Sequence, residues 1–188
     1  MYEVIAGIDL GTTNSAVCVV EDGVPRILPV HGQPTMPSAV GLDPTGKLIV
    51  GQAAKNQQIS APERTITSIK RLMGEDTKVT LGDRQLSPEE VSALILKELK
   101  QAAEKELGVP VKKAVITVPA FFNERQRKAT QVAGDLAGLE VVRIINEPLL
   151  QHLPMVLAVR MGRPCWCMTW VVAPSMCLWY GWSLEWWK

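Results

Sequence analysis

Val115-Ile116-Thr117-Val118 is an unbroken apolar and β-branched run, the pattern of a strand covered on both faces of its sheet. The residues after it narrow the fold further. Asn123 is placed to cap a helix that runs to Ala137, with Gly138 as its stop. Val141-Val142-Arg143-Ile144-Ile145 is then the next strand. Strands and helices in this alternation belong to an α/β sheet. The last strand delivers Asn146-Glu147-Pro148 to its C-terminal end, the side of such sheets where ligands bind.

The N-terminal part is punctuated in the same way. Val4-Ile5-Ala6-Gly7-Ile8-Asp9-Leu10 reads as a strand, and Ser15-Ala16-Val17-Cys18-Val19-Val20 as its hairpin partner across the polar turn Gly11-Thr12-Thr13-Asn14. Glu21-Asp22-Gly23 is a second turn and Pro25-Arg26-Ile27-Leu28 a third strand. Gly and Pro break residues 32–62 into short pieces, which predicts a smaller subdomain inserted into the main sheet, about residues 38–112, with a helix over 65–72. A stronger helix starts after Ser87. Ser87 is its cap, Pro88 suits the first position and Glu90 completes a capping box. Val91, Leu94, Ile95, Leu99 and Ala102 then recur at helical spacing, and Gly108 ends it.

Composition divides the chain at one point. Residues 149–188 carry charge only at Arg160, Arg163, Glu185 and Lys188, and they hold every Trp together with Cys165, Cys167 and Cys177. Across the whole chain 20 Lys+Arg face 19 Asp+Glu, a balance that offers no electrostatic footprint for nucleic acid or anionic lipid. The first residues lack a basic n-region, and the cysteines lack the spacing of a disulfide scaffold, so a cytoplasmic location is expected.

Asp9-Leu10-Gly11-Thr12-Thr13-Asn14-Ser15 is the first motif with chemistry in it. A carboxylate at a strand end can hold Mg²⁺ through water, while the N–H groups and hydroxyls of a tight turn face phosphates. An ordinary hairpin turn uses the same residue types. The wording of the chain goes further. Ile8-Asp9-Leu10-Gly11-Thr12-Thr13-Asn14-Ser15 resembles the first phosphate loop of the 70-kDa heat-shock (DnaK-type) chaperones. The resemblance continues in order through Ile69-Lys70-Arg71-Leu72-Met73-Gly74, then Val115-Ile116-Thr117-Val118-Pro119-Ala120-Phe121-Phe122-Asn123 with Gln126-Arg127. Ala137-Gly138-Leu139-Glu140-Val141 and Arg143-Ile144-Ile145-Asn146-Glu147-Pro148 complete it, so it covers residues 1–148.

The resemblance implies an actin-like ATPase fold of the ribonuclease H type, here its first lobe with the small insert, and incomplete. It implies ATP or ADP with Mg²⁺ as cofactors. Asp9 would hold Mg²⁺ through water, and Gly11, Thr12, Thr13 and Asn14 would contact the β- and γ-phosphates. Lys70 would sit beside the γ-phosphate and position the attacking water. Glu147 would hold a water near the metal and take part of the proton burden, and Pro119 with Arg127 would relay nucleotide state to a client-binding domain. Unfolded polypeptide clients, a J-domain co-chaperone and a nucleotide exchange factor are the implied partners. Without the resemblance plainer roles stand: Lys70 as a solvated helix lysine, Glu147 as the cap of a following helix, Pro119 as a strand end, Arg127 paired with Glu124 or Glu140.

After Pro148 the family continues with a Thr-Ala-Ala-Ala-Leu-Ala-Tyr-Gly helix, a strand and a second phosphate loop, Asp-Leu-Gly-Gly-Gly-Thr-Phe-Asp, whereas this chain reads Leu149-Leu150-Gln151-His152-Leu153-Pro154. Joining the last base of each codon to the first two of the next restores that loop. Met168 into Thr169 must give Asp, Trp170 into Val171 must give Gly, and Met176 into Cys177 must give Val. The intervening junctions all permit the family's letters, and Met155 into Val156 must give the Gly of Tyr-Gly. Residues 149–188 are therefore expected to be an out-of-frame tail, caused by one lost nucleotide near the Pro148 codon. On that reading the chain lacks the second phosphate loop, the adenosine pocket, the second lobe and the client-binding domain. Half a cleft predicts weak ATP binding and no competent ATPase.

The tail invites two other readings. Cys165, Cys167, Cys177 and His152 lack the paired-knuckle spacing of a zinc site. Residues 164–184 are uncharged and long enough to cross a bilayer, but their Trp and Tyr are scattered instead of gathered at two interfaces, which argues against a span. Rival functions are a membrane-anchored interaction protein with a real Trp-rich tail, and a sugar kinase or actin-like relative sharing only the phosphate hairpin.

Overall fold

In the computed structural model, residues 4–147 are described in full, and residues 157–160 and 165–168 by their backbone. The tail readings, zinc and membrane included, otherwise lie outside the described residues. Among the described residues no helix is long and apolar enough to cross a membrane.

The N-terminal strands form as the sequence predicts. β1 (Ile5–Asp9) pairs antiparallel with β2 (Asn14–Glu21), and β2 with β3 (Val24–Leu28). Asp22 and Gly23 supply the left-handed turn between them, at φ 50° and 82°. β4 (Met36–Pro37) adds a short pairing to the start of β2. β5 (Ala39–Leu42) and β6 (Leu48–Val50) come next, then α1 (Gln52–Gln57).

Residues 65–72 are not the single helix that the sequence suggests. Thr65–Thr67 is a strand, β7, paired antiparallel with β5, and only Ile69–Leu72 winds into a 3-10 turn. Thr-Ile-Thr is β-branched at each position and finds a partner strand. Ser68, at φ 56° and ψ 28°, then breaks the direction in the left-handed region. The small sheet runs β6-β5-β7, and a separate hairpin joins β8 (Val79–Leu81) to β9 (Arg84–Leu86).

α2 (Pro88–Leu107) begins with a complete capping box: Glu90 N–H donates to Ser87 Oγ, and Ser87 N–H to Glu90 Oε2 at 2.7 Å. Gly108, at φ 68°, ends it in the left-handed conformation. β10 (Lys113–Val118) runs parallel to β1 on one side and to β11 (Glu140–Asn146) on the other, linked to β11 by α3 (Glu124–Leu136). The main sheet order is therefore β11-β10-β1-β2-β3. α3 lies very close to its sheet. A Cβ on Gly134 would stand 2.2 Å from Val141 Cγ2, so this contact admits glycine alone. β12 (Leu157–Arg160) and β13 (Cys165–Met168) pair antiparallel with each other.

One buried cluster unites these parts. It contains Ile8, Val17, Ala114, Ile116 and Val118 of the main sheet, Val40, Leu42 and Ile66 of the small one, and Val91, Ile95, Leu96 and Leu99 of α2. The parallel strands β1, β10 and β11 end together, so Asp9, Thr117 and Ile145 are register neighbours at one edge of the sheet.

Candidate functional site

The turn between β1 and β2 is held from behind. Gly11 lies so close to the returning chain that a Cβ there would stand 2.0 Å from the Asn14 carbonyl oxygen. Ser38, buried at 4% exposure, donates its hydroxyl to the Gly11 carbonyl at 2.7 Å and its backbone N–H to the Thr13 carbonyl at 2.8 Å. Ser15 Oγ and Ser38 Oγ lie 2.8 Å apart. The carbonyls of Gly11 and Thr13 are thus engaged inside the protein, while Thr13 and Asn14 are exposed.

Asp9 ends β1, half-buried, and accepts a hydrogen bond from Thr117 Oγ1 of the neighbouring strand at 3.0 Å. Burial pushes its carboxyl above the usual range; the Thr117 hydroxyl and the positive charge of Lys70 oppose that shift, and the negative charge of Glu147 adds to it. Asp9, Lys70 and Glu147 therefore feel one another's charge.

Lys70 is no solvated helix lysine. It sits in the 3-10 turn after Ser68, 4% exposed, with Nζ 2.5 Å from Glu147 Oε1 and 5.7 Å from the centroid of the Phe122 ring. A buried ammonium needs a compensating charge, and Glu147 provides it from the end of β11. Glu147 is itself fixed by its N–H, which donates to the Val118 carbonyl at 2.6 Å.

Pro119, directly after β10, and Arg127, in the first turn of α3, are linked through Phe122. Phe122 N–H donates to the Pro119 carbonyl at 3.0 Å, closing a β-turn. Arg127 donates from Nε to the Phe122 carbonyl at 3.2 Å and from Nη2 to Asn146 Oδ1 at 2.6 Å. The pairing with Glu124 or Glu140 that the sequence allows is replaced by these two neutral acceptors, which the fold brings within reach.

The structure thus gathers Asp9, Lys70 and Glu147 at the C-terminal end of the parallel strands. The turn at 11–14 starts two residues beyond Asp9, and Pro119 and Arg127 adjoin through Phe122. Sequence reasoning missed Thr117, Ser38, Phe122 and Asn146. Thr117 left a trace, as the one hydroxyl inside an apolar run; the other three left none, because Ser38 to Gly11, Asn146 to Arg127 and Phe122 to Lys70 are contacts between separate elements.

Two carboxylates and one ammonium suit a polyanion carrying a divalent cation. Among the described residues no three His, Cys, Asp or Glu side chains converge as a direct metal cage. One family model, described as Hsp70 protein, matches residues 5–81 and 76–153.

Proposed function

This chain belongs to the Hsp70 family, and from that premise we propose that its first 148 residues form one wall of a site for ATP or ADP with Mg²⁺. The observation that carries the reading is the buried Lys70 ammonium, held on Glu147 within electrostatic reach of Asp9. Asp9 and Glu147 would hold Mg²⁺ through water, and Gly11, Thr12, Thr13 and Asn14 would offer N–H groups and hydroxyls to the β- and γ-phosphates. Bound Mg²⁺ supplies charge neutralisation on the phosphates. With nucleotide bound in a complete site, Lys70 would orient the attacking water and stabilise the negative charge that develops on the transferring group. Glu147, hydrogen-bonded to Lys70, would take the proton that water loses.

In an intact member of the family, Pro119 and Arg127 relay the nucleotide state to a client-binding domain. Unfolded polypeptides, a J-domain co-chaperone and a nucleotide exchange factor are the partners, and the setting is cytoplasmic. Residues 1–148 supply one of the two lobes between which this fold closes on ATP, so by themselves they are not a competent ATPase. Residues 149–188 are an out-of-frame tail.

Three experiments test this. Titrating the full chain with Mg·ATP by calorimetry should give binding on the order of 1 mM or weaker, about −4 kcal/mol, lost in Lys70→Ala. Steady-state turnover like that of an intact chaperone, abolished by Lys70→Ala, would overturn the inactivity. For the tail, the coding DNA is read across the Pro148 codon. A downstream frame that spells the second phosphate loop and the rest of the family sequence supports the frame shift, and the absence of such a frame removes it.

A further inference from the structure

Phe122 touches Lys70, Pro119 and Arg127, although nothing in the sequence gives it a role. Its ring lies 5.7 Å from Lys70 Nζ. Its N–H is taken by Pro119 and its carbonyl by Arg127 Nε. Arg127 also holds Asn146, the chain neighbour of Glu147, and Glu147 holds Lys70. The contacts therefore close a ring: Lys70, Glu147, Asn146, Arg127, Phe122 and back to Lys70. Phe122 is the one member of it that has no charge or side-chain hydrogen bond to contribute.

The two adjacent phenylalanines behave differently. Phe121 is 82% exposed while Phe122 is 7% exposed, their rings meeting edge to face at 5.9 Å. The loop thus turns Phe121 to the surface and buries Phe122 against the site. An aromatic face attracts a desolvated ammonium more strongly than it would in water. Glu147 gives the Lys70 head one hydrogen bond, and the ring beneath it adds a second contact from another direction.

We propose that Phe122 is a positioning residue, whose ring holds the Lys70 ammonium in place and whose carbonyl passes any displacement of Lys70 to Arg127. That Lys70 serves a phosphate rests on the proposed nucleotide site; the ring contact does not.

The test uses the full chain, nucleotide-free, with lysine labelled at Cε and Nζ and arginine at Nε for NMR. The Lys70 Hε resonances are expected upfield of the exposed lysines in the wild type and in Phe122→Tyr, and at the exposed-lysine position in Phe122→Leu. Lys70→Met should shift the Arg127 Nε–H signal in the wild-type background and leave it in place in Phe122→Leu. Lys70 resonances that are the same in Phe122→Leu as in the wild type overturn the proposal. If Phe122→Leu fails to fold, the wild-type nuclear Overhauser effect between Lys70 Hε and the Phe122 ring decides alone, its absence overturning the contact. Adding Mg·ATP afterwards tests the phosphate role separately, since the ring contact is read without nucleotide.

Discussion

Asp9 is a carboxylate kept where burial disfavours its charge, and that tension is measurable. Burial holds its folded-state pKa above the ordinary value of 3.8, against the pull of Thr117 and Lys70. A carboxyl raised on folding makes its full stability contribution below the unfolded pKa, where both states are protonated, and loses it as pH rises through the folded value. Asp9→Asn should therefore unfold at a higher temperature than the wild type at pH 7, with the two melting points converging as pH falls to 3.8 and below. Thermal melts across that range check it, and a variant less stable at neutral pH would show that Lys70 and Thr117 outweigh burial. Much of the site at this scale was readable in the chain, since Asp9, Lys70 and Glu147 each stand in a recognisable motif. That Lys70 is buried was not readable, because its partner Glu147 lies 77 residues away and only the fold sets them together.

At the scale of elements, local chemistry decided what could be read. α2 and α3 both open with reciprocal capping boxes, Ser87 with Glu90 and Asn123 with Gln126. Each box uses residues three apart, so sequence alone exposes the helix start. Ser87→Ala should cost about 1 kcal/mol of stability and Ser87→Gly only a few tenths, measured by urea unfolding. Equal losses for the two would mean that the side-chain cap contributes little beyond backbone conformation. β7 is the opposite case. Thr65-Ile66-Thr67 becomes a strand because Ala39, Val40 and Gly41 lie beside it, and a local reading of residues 65–72 contains no trace of that partner. The bond from Ser38 to the Gly11 carbonyl was hidden for the same reason, spanning 27 residues.

Among the described residues the main sheet and the small β6-β5-β7 sheet share one core, and α2 joins them. Its buried residues Val91, Ile95, Leu96 and Leu99 belong to the same cluster as Val40 and Ile66 of the small sheet and Ile8 and Ile116 of the main one. A continuous core makes the small sheet and the main sheet one cooperative unit. The site depends on that unity, because Lys70 comes shortly after the small sheet, while Asp9 ends β1 and Glu147 follows β11 in the main one. Loosening either sheet should separate the ammonium from its carboxylate. Leu99→Ala removes a side chain with 0% exposure and should cost about 2–5 kcal/mol, whereas Ile59→Ala, at a residue 95% exposed, should stay within about 0.5 kcal/mol. Hydrogen exchange of Leu99→Ala locates the loss. Equal loss of protection in β5 and β10 is the expected result, with a single unfolding transition. Protection lost in β5 alone, with β10 unchanged, would make the small sheet an independent unit, and the Lys70–Glu147 pair would then bridge two bodies free to open while each stays folded.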